Sequence, residues 1–122
     1  SKKYIAELGI KTPSIQQIVR NLSGGNQQKI VLGKWLGSNP EVFIFDEPTR
    51  GIDVGAKQEI YKLMTGIVKQ KKSVIMISSE MEELLGMSDR MIILSKGRFS
   101  AELSKEEFNQ ETILKYSSES VV

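Results

Sequence analysis

The stretch Val42-Phe43-Ile44-Phe45-Asp46-Glu47-Pro48 decides the fold. Its four apolar residues lie between Pro40 and Pro48, a pattern typical of a short strand buried on both faces of a parallel sheet. Two carboxylates follow, and parallel sheets bind ligands at the carboxyl ends of their strands. Asp46 is therefore a candidate Mg²⁺ ligand, and Glu47 is a candidate base for an attacking water. Two solvated acids ending a strand are a weaker explanation, because both adjoin a fully apolar run.

Helices are predicted on both sides of this strand. A helix is expected from Ser23 to a stop at Gly37, and another begins after Asp53, its expected N-cap. The second helix carries the clearest apolar stripe in the chain, formed by Ile60, Leu63, Met64, Ile67 and Val68. Toward the N-terminus, residues 3–9 resemble helical turns ended by Gly9, and residues 15–22 a short amphipathic piece.

The second half of the chain continues the alternation. Apolar runs predict strands over residues 73–77 and 91–94, separated by a short helix over residues 80–85 that ends at Gly86. Lys96-Gly97 predicts a tight turn into a hairpin partner over residues 98–103. Ser104 and Glu107 have capping-box spacing, which predicts a final helix reaching Tyr116 before a frayed tail, residues 117–122. The class predicted is α/β.

Composition excludes several kinds of function. The chain has 122 residues, enough for one small domain or part of one, and its 17 basic and 15 acidic side chains leave a net charge of only +2. Such a balance argues against a nucleic-acid partner. Cysteine and histidine are absent, which excludes disulfides, thiolate metal sites and a histidine base. No apolar run reaches the ~20 residues that span a bilayer, and no signal-peptide core is recognisable, so a cytoplasmic setting is expected.

A second candidate site lies in Leu22-Ser23-Gly24-Gly25-Asn26-Gln27-Gln28-Lys29. A serine and two glycines at a helix start place free N–H groups and the positive end of the helix dipole together, and glycines let an anion approach the backbone. The tetrapeptide therefore suggests a phosphate contact. Taken alone, an ordinary serine N-cap followed by a glycine turn explains it at least as well.

The order of the motifs resembles that of the ABC ATPases. LSGGNQQK at residues 22–29 is similar to their signature motif, FDEPTRGID at 45–53 to Walker B and the D-loop, and VIMISSEMEEL at 74–84 with SDRMIIL at 88–94 to the switch region and following strand. In detail, LSGGNQQK with DEPTRGIDVGAK resembles the ATPase subunits of bacterial ribose, galactose and xylose importers. In those subunits one polypeptide carries two ATPase halves, and this chain resembles the C-terminal part of the second half.

The resemblance implies a fold and a division of the chain. The fold is a partial P-loop NTPase core with a mainly parallel sheet that lacks the phosphate-loop strand. Residues 1–37 would be the end of the helical subdomain and the signature helix, and residues 38–103 would hold Walker B, the D-loop and the switch region. Residues 104–122 would form the C-terminal helix and tail.

The resemblance also implies roles, with ATP and Mg²⁺ as cofactors. Ser23, Gly24 and Gly25 match the signature residues that contact the γ-phosphate of an ATP held by the opposite half. Asp46 matches the magnesium acid and Glu47 the catalytic glutamate. Asp53 matches the D-loop aspartate that crosses the interface between halves, and a plain N-cap role describes it equally well.

Two positions depart from the family pattern. Asn26 replaces the usual glutamine of the signature motif, which shortens the side chain but keeps a nucleotide-binding amide. Ser79 stands where the switch histidine is expected, and a serine cannot carry charge or exchange a proton near neutral pH. It remains a candidate catalytic residue, although Ser79-Glu80-Met81-Glu82 also has capping-box spacing, which would explain the serine without catalysis. We therefore expect this half to turn over ATP weakly or not at all.

No stretch matches G-x-x-x-x-G-K-[ST], the loop that cradles phosphates. The chain is therefore expected to be a fragment that neither binds nor hydrolyses ATP alone, and that self-associates through uncovered sheet edges and apolar faces.

The predicted function is part of an ATPase subunit that powers sugar import at the cytoplasmic face of the inner membrane. Expected partners are the other ATPase half, the membrane permease subunits and, indirectly, a periplasmic sugar-binding protein. Two alternatives stay open. One is a non-transport ABC ATPase in translation or DNA repair, against which NQQK and TRGIDVGAK argue. The other is a non-catalytic regulatory half, which Ser79 favours.

Overall fold

The structure is a computed structural model that describes residues 2–118. It contains both helices and strands, as predicted for an α/β chain. In chain order they are α1 (Lys2–Glu7), a 3₁₀ turn (Val19–Asn21), α2 (Gly24–Leu36), β1 (Val42–Asp46), α3 (Val54–Lys69), β2 (Ser73–Ile77), α4 (Met81–Met87), β3 (Arg90–Ser95), β4 (Arg98–Ser104), a 3₁₀ turn (Lys105–Glu107) and α5 (Gln110–Ser118). The chain divides into two compact units between Ile77 and Ser78. None of the helices within residues 2–118 has the length and apolarity to cross a membrane.

The first unit contains a parallel pair of strands. β1 and β2 pair from Val42 opposite Ser73 to Asp46 opposite Ile77, and α3 is the crossover between them. Phe43 and Phe45 point to one face of β1, are buried, and stack with ring centroids 6.1 Å apart. The apolar stripe predicted for α3 is confirmed in part, because Ile60, Met64 and Ile67 are buried, whereas Val68 is 49% exposed.

The other face of β1 is open, so the prediction of a strand buried on both faces is wrong for this structure. Val42 and Ile44 are 50% and 67% exposed, and Ile75 and Ile77 of β2 are each 50% exposed. A single crossover helix covers only one face of a strand pair, which explains the difference. The open face provides apolar surface for the predicted self-association, which stays a prediction.

The N-terminal elements differ from the prediction in one place. α1 ends before Gly9, whose φ of +57° is the left-handed conformation favoured at helix ends. Within residues 15–22, expected to be a short amphipathic piece, the only regular structure is a single 3₁₀ turn, Val19–Asn21. Ile15 and Ile18 are 56% and 65% exposed. A short helix needs tertiary packing to be stable, and these residues lack it.

The second unit is built on a hairpin. β3 and β4 pair antiparallel through Lys96-Gly97, whose φ values of +50° and +76° match a type I′ turn. Its core consists of Met91, Ile93, Leu103 and Ile113, against which pack Met81, Leu84, Leu85, Ala101, Phe108 and Tyr116. The predicted hairpin is therefore confirmed.

The end of this unit corrects the prediction for the final helix. The capping box of Ser104 and Glu107 is present, but it opens only a 3₁₀ turn. α5 begins instead at Gln110, because the side chain of Asn109 accepts hydrogen bonds from the backbone N–H groups of Glu111 and Thr112, at 2.8 and 3.4 Å. Residues 117 and 118 of the predicted frayed tail belong to α5, and residues 119–122 lie outside the described part of the chain.

Candidate functional site

The first part of the candidate site is the signature turn, residues 23–26, where α2 begins. Ser23 is the N-cap, and its Oγ accepts hydrogen bonds from Asn26 N at 3.4 Å and Asn26 Nδ2 at 2.9 Å. Ser23 O accepts from Gln27 N at 2.9 Å. The N–H groups of Gly24 and Gly25 come before the first intrahelical bonds, so no carbonyl of α2 is available to them. They are therefore placed to donate to an anion.

Asn26 holds this turn in place. Its Oδ1 accepts a hydrogen bond from Lys11 N at 2.9 Å, while its Nδ2 donates to Ser23 Oγ. Both ends of the carboxamide are thus used inside the protein, which orients the serine hydroxyl. The predicted nucleotide contact by Asn26 itself stays a prediction.

Gly25 is required by close packing. A Cβ at this position would lie 2.7 Å from Cβ of Ala56, in the first turn of α3. At Gly24, by comparison, an added Cβ would lie 3.6 Å from Ile52 Cγ2, an ordinary contact. The starts of α2 and α3 are therefore in direct contact at Gly25.

Asp53 caps α3 beside this contact. Its Oδ1 accepts a hydrogen bond from Ala56 N at 3.0 Å, which confirms the predicted N-cap. The side chain is exposed, so the cap and an outward contact are compatible. The structure thus brings Asp53 next to the signature turn through the shared neighbour Ala56.

The second part of the site is the acidic turn, residues 46–49. Asp46 is the last residue of β1 and is exposed, and Glu47 is partly exposed. Glu47 has φ +48°, a conformation that costs a non-glycine residue about 1–3 kcal/mol. The turn is held by a hydrogen bond from Glu47 N to Ile77 O at 2.8 Å and by the buried Pro48 and Thr49. Both carboxylates are therefore available at the carboxyl end of the parallel strands.

Ser79 lies in the second unit, and the prediction that it starts a capping box is wrong. α4 begins at Met81 with Glu80 as N-cap. The hydroxyl that accepts Glu80 N, at 3.0 Å, belongs to Ser78, which also donates to Glu83, an acid only 4% exposed. The expected box needs Ser79 as N-cap and the N–H of Glu82 as donor, whereas the observed hydrogen bond joins Ser78 to the N–H of Glu80. Sequence reasoning missed this Ser78–Glu83 pair, whose signal is an acid in the first turn of α4.

A second missed residue is Lys29, on the second turn of α2. Its side chain is only 6% exposed, and it forms an ion pair with Glu59 of α3. The hydrogen bond from Lys29, followed by its positive charge, lowers the pKa of Glu59 below its ordinary value. The signal available in the sequence was the position of Lys29 on the same helical face as Leu32 and Gly33, three and four residues later.

The two turns suit the groups that a nucleotide carries. The signature turn offers a hydroxyl, two glycine N–H groups and the positive end of a 13-residue helix, which fit a phosphate. The acidic turn offers carboxylate oxygens, the ligand type that Mg²⁺ prefers. No group of three or more His, Cys, Asp or Glu able to hold a metal occurs within residues 2–118.

Comparison with known proteins decides the family. The family model described as ABC transporter matches residues 1–50. The ribose import ATP-binding protein of Clostridium perfringens (strain SM101 / Type A) is 57% identical over 92% of this chain. The xylose import ATP-binding protein of Thermoanaerobacter pseudethanolicus is 59% identical over 93% of it. The chain belongs to the ABC ATPase family.

Solved structures show the same fold. This ABC ATPase chain matches a dimeric ATP-binding cassette in a post-hydrolysis state bound to ADP and Pi, with a TM-score of 0.75 and 21% identity over 88% of the chain and 46% of the match. It also matches the ADP conformation of an ATP-binding cassette of an ABC transporter, with a TM-score of 0.78 and 20% identity over 93% of the chain and 46% of the match. The predicted partial ABC ATPase fold is confirmed. The chain spans only 22% and 23% of the two sugar-import relatives.

Proposed function

We propose that this chain is part of an ATP-hydrolysing subunit that powers sugar import across a membrane. The observation that carries the proposal is the signature turn itself, with its capped serine and its glycines ahead of the first helical bonds. The similarity to import ATP-binding proteins for ribose and xylose supports the transport role. ATP and Mg²⁺ are the cofactors of the full-length protein.

The signature turn acts on a nucleotide held by the opposite ATPase half. Ser23 donates its hydroxyl, and Gly24 and Gly25 donate their N–H groups, to the γ-phosphate. Donors fixed in place before the reaction stabilise the charge that develops in the transition state without reorganising. Asp53 contacts the other half from its position at the start of α3.

The acidic turn acts on the nucleotide of its own half. Asp46 holds Mg²⁺, which supplies charge neutralisation of the phosphates when bound. Glu47 orients the attacking water and accepts its proton. The phosphate-binding loop that this chemistry needs does not occur in the 122 residues. The isolated chain is therefore proposed not to hold or hydrolyse ATP.

The assignment of segments follows from these roles. Residues 1–37 are proposed as the end of the helical subdomain and the signature helix. Residues 38–103 hold Walker B, the D-loop and the switch region, and residues 104–122 the C-terminal helix and tail. The partners are the other ATPase half, membrane permease subunits and, indirectly, a periplasmic sugar-binding protein. The subunit is proposed to lie at the cytoplasmic face of the inner membrane.

Ser79 favours a second candidate function, a regulatory half with little turnover of its own. A serine supplies a hydrogen bond but no charge at the switch position. In this version Ser23–Gly25 complete the site of the opposite half, while Asp46 and Glu47 contribute little to turnover.

Transport assays on the full-length subunit, assembled with its permease in proteoliposomes, test the proposal. We expect ATP hydrolysis and sugar uptake that both require the periplasmic binding protein. Trapping of a nucleotide analogue in each half separately then distinguishes the two candidates, because a regulatory half retains ATP unhydrolysed. An ATPase that is indifferent to sugar and permease would contradict the transport role.

A further inference from the structure

Lys29 lies on the packed stripe of α2, where a charge is costly. The buried residues of α2 are Gly25, Lys29, Leu32 and Gly33, spaced at i, i+4, i+7 and i+8. The other three carry no charge, and an unpaired ammonium group among them would be strongly unfavourable. The position therefore demands partners for the lysine.

The partners of Lys29 come from two other elements. Its Nζ donates to Gly9 O at 3.1 Å, in the turn that follows α1, and pairs with the carboxylate of Glu59 on α3. Glu59 is about half exposed, so it pays little desolvation cost while compensating the buried charge. One ammonium group thus joins α2 to α3 and to the end of α1.

Two contacts between α2 and α3 run in parallel. Gly25 meets Ala56, and four residues later Lys29 meets Glu59, three residues beyond Ala56. Spacings of three and four residues keep side chains on one helical face. Two contacts one turn apart fix both the sliding and the rotation of α2 relative to α3, which a single contact would not.

We propose that Lys29 is a positioning residue that locks the signature turn against the start of α3. The lock presents Ser23, the glycine N–H groups and the Asp53 cap as one rigid surface. This inference rests on the proposed function, because the purpose of that surface is to meet a phosphate in the opposite half. Donors displaced by more than about 0.5 Å lose much of their effect on a transition state.

The test uses the full-length protein with any cysteines outside this chain replaced, since the chain itself has none. Spin labels at N21C and Q58C, both exposed positions, report the distance between the region before the signature turn and α3. Variants K29M and E59Q break the pair, K29R keeps charge and donors, and K34M removes an exposed lysine of the same helix as a matched control. Because Glu59 is exposed, E59Q is expected to fold. It therefore still breaks the ion pair in a folded protein if K29M does not fold.

We expect a narrow distance distribution without nucleotide in the parent, K34M and K29R. K29M and E59Q should broaden it and lower kcat for ATP about tenfold, with KM changed less than twofold. The proposal is overturned if K29M and E59Q have a lower melting temperature but keep the same distance distribution and kcat as K34M. Lys29 would then only stabilise the fold. Absence of ATP turnover in the parent would instead refute the proposed function, and the distances alone would then decide the role of Lys29.

Discussion

The signature turn and the acidic turn are held in different ways. In the signature turn, side chains do the holding, through the Ser23 cap, the Asn26 bridge to Lys11 and the contact of Gly25 with Ala56. In the acidic turn, the backbone does it, through the strained Glu47 and its hydrogen bond to Ile77. The carboxylates themselves extend from that turn into exposed or partly exposed positions.

This difference shows which of the two turns has its functional groups held in fixed positions by contacts within the chain. The donors of the signature turn are oriented before any ligand arrives, so their geometry is sensitive to single substitutions. In the proposed function, the carboxylates act on a nucleotide that needs a phosphate-binding loop, and no such loop occurs in the 122 residues. Substitutions in the signature turn should therefore have larger effects than those in the acidic turn.

The largest effect is expected for Gly25→Ala. The new methyl group would overlap Ala56, whose Cβ is 2.7 Å from its position, and would push the start of α2 away from α3. We expect ATP turnover of the full-length protein to fall about a hundredfold, the scale of losing fixed transition-state donors. Gly24→Ala is the control for folding, because its methyl makes an ordinary contact at 3.6 Å. Equal melting temperatures for the two variants would refute the packing argument.

Removal of the Ser23 side chain should have the next largest effect. Ser23→Ala loses both the N-cap, worth about 1 kcal/mol of stability, and the hydroxyl. Ser23→Gly loses the hydroxyl at a stability cost of only a few tenths of a kcal/mol. We expect both variants to lower turnover about tenfold, whereas only the alanine variant should melt measurably lower. Normal turnover in Ser23→Gly would exclude the hydroxyl from phosphate contact.

A smaller effect, on the melting temperature, is expected when the pH is lowered. The pKa of Glu59 is lowered by Lys29, so the pair stabilises the folded protein above the ordinary carboxylate pKa of 4.5 and loses this effect as the pH falls through the lower, folded value. The melting temperature should exceed that of Glu59→Gln at pH 7, and the gap should narrow below pH 4.5. Glu7→Gln, in the exposed pair with Lys3, is the control. A gap that stays constant with pH would contradict the assignment.

The smallest effect is expected for Glu47→Gln. Because Ser79 cannot exchange a proton near neutral pH, we expect the acidic turn of this half to contribute little to turnover. We expect the full-length protein to keep more than half of its ATPase activity. Near-complete loss of turnover would show that this half is catalytically competent and would reverse the comparison between the two turns.

Features that depend on a few neighbouring residues were predictable from the sequence. Three of the four strands followed from apolar runs, the fourth from the Lys96-Gly97 turn, and the Asp53 cap from its place before an amphipathic helix. Contacts between distant segments were not predictable by these rules. The need for glycine at position 25 comes from Ala56, 31 residues later. Competition between nearby caps was also missed, because α5 begins after Asn109 rather than after Ser104. At Ser79 the spacing suggested a capping box, but α4 begins at Met81 with Glu80 as its N-cap, so the box does not form.

The contact between Gly25 and Ala56 also sets a rule for building chimaeras. A designer who transplants the octapeptide 22–29 into another ATPase would carry over the serine and glycines, yet leave behind the alanine against which they fit. A larger residue at that place in the host would push the transplanted helix start outward. The starts of α2 and α3 must therefore be transplanted together, although they are separate in sequence. A graft that includes both should transfer the function of the motif as well as its sequence.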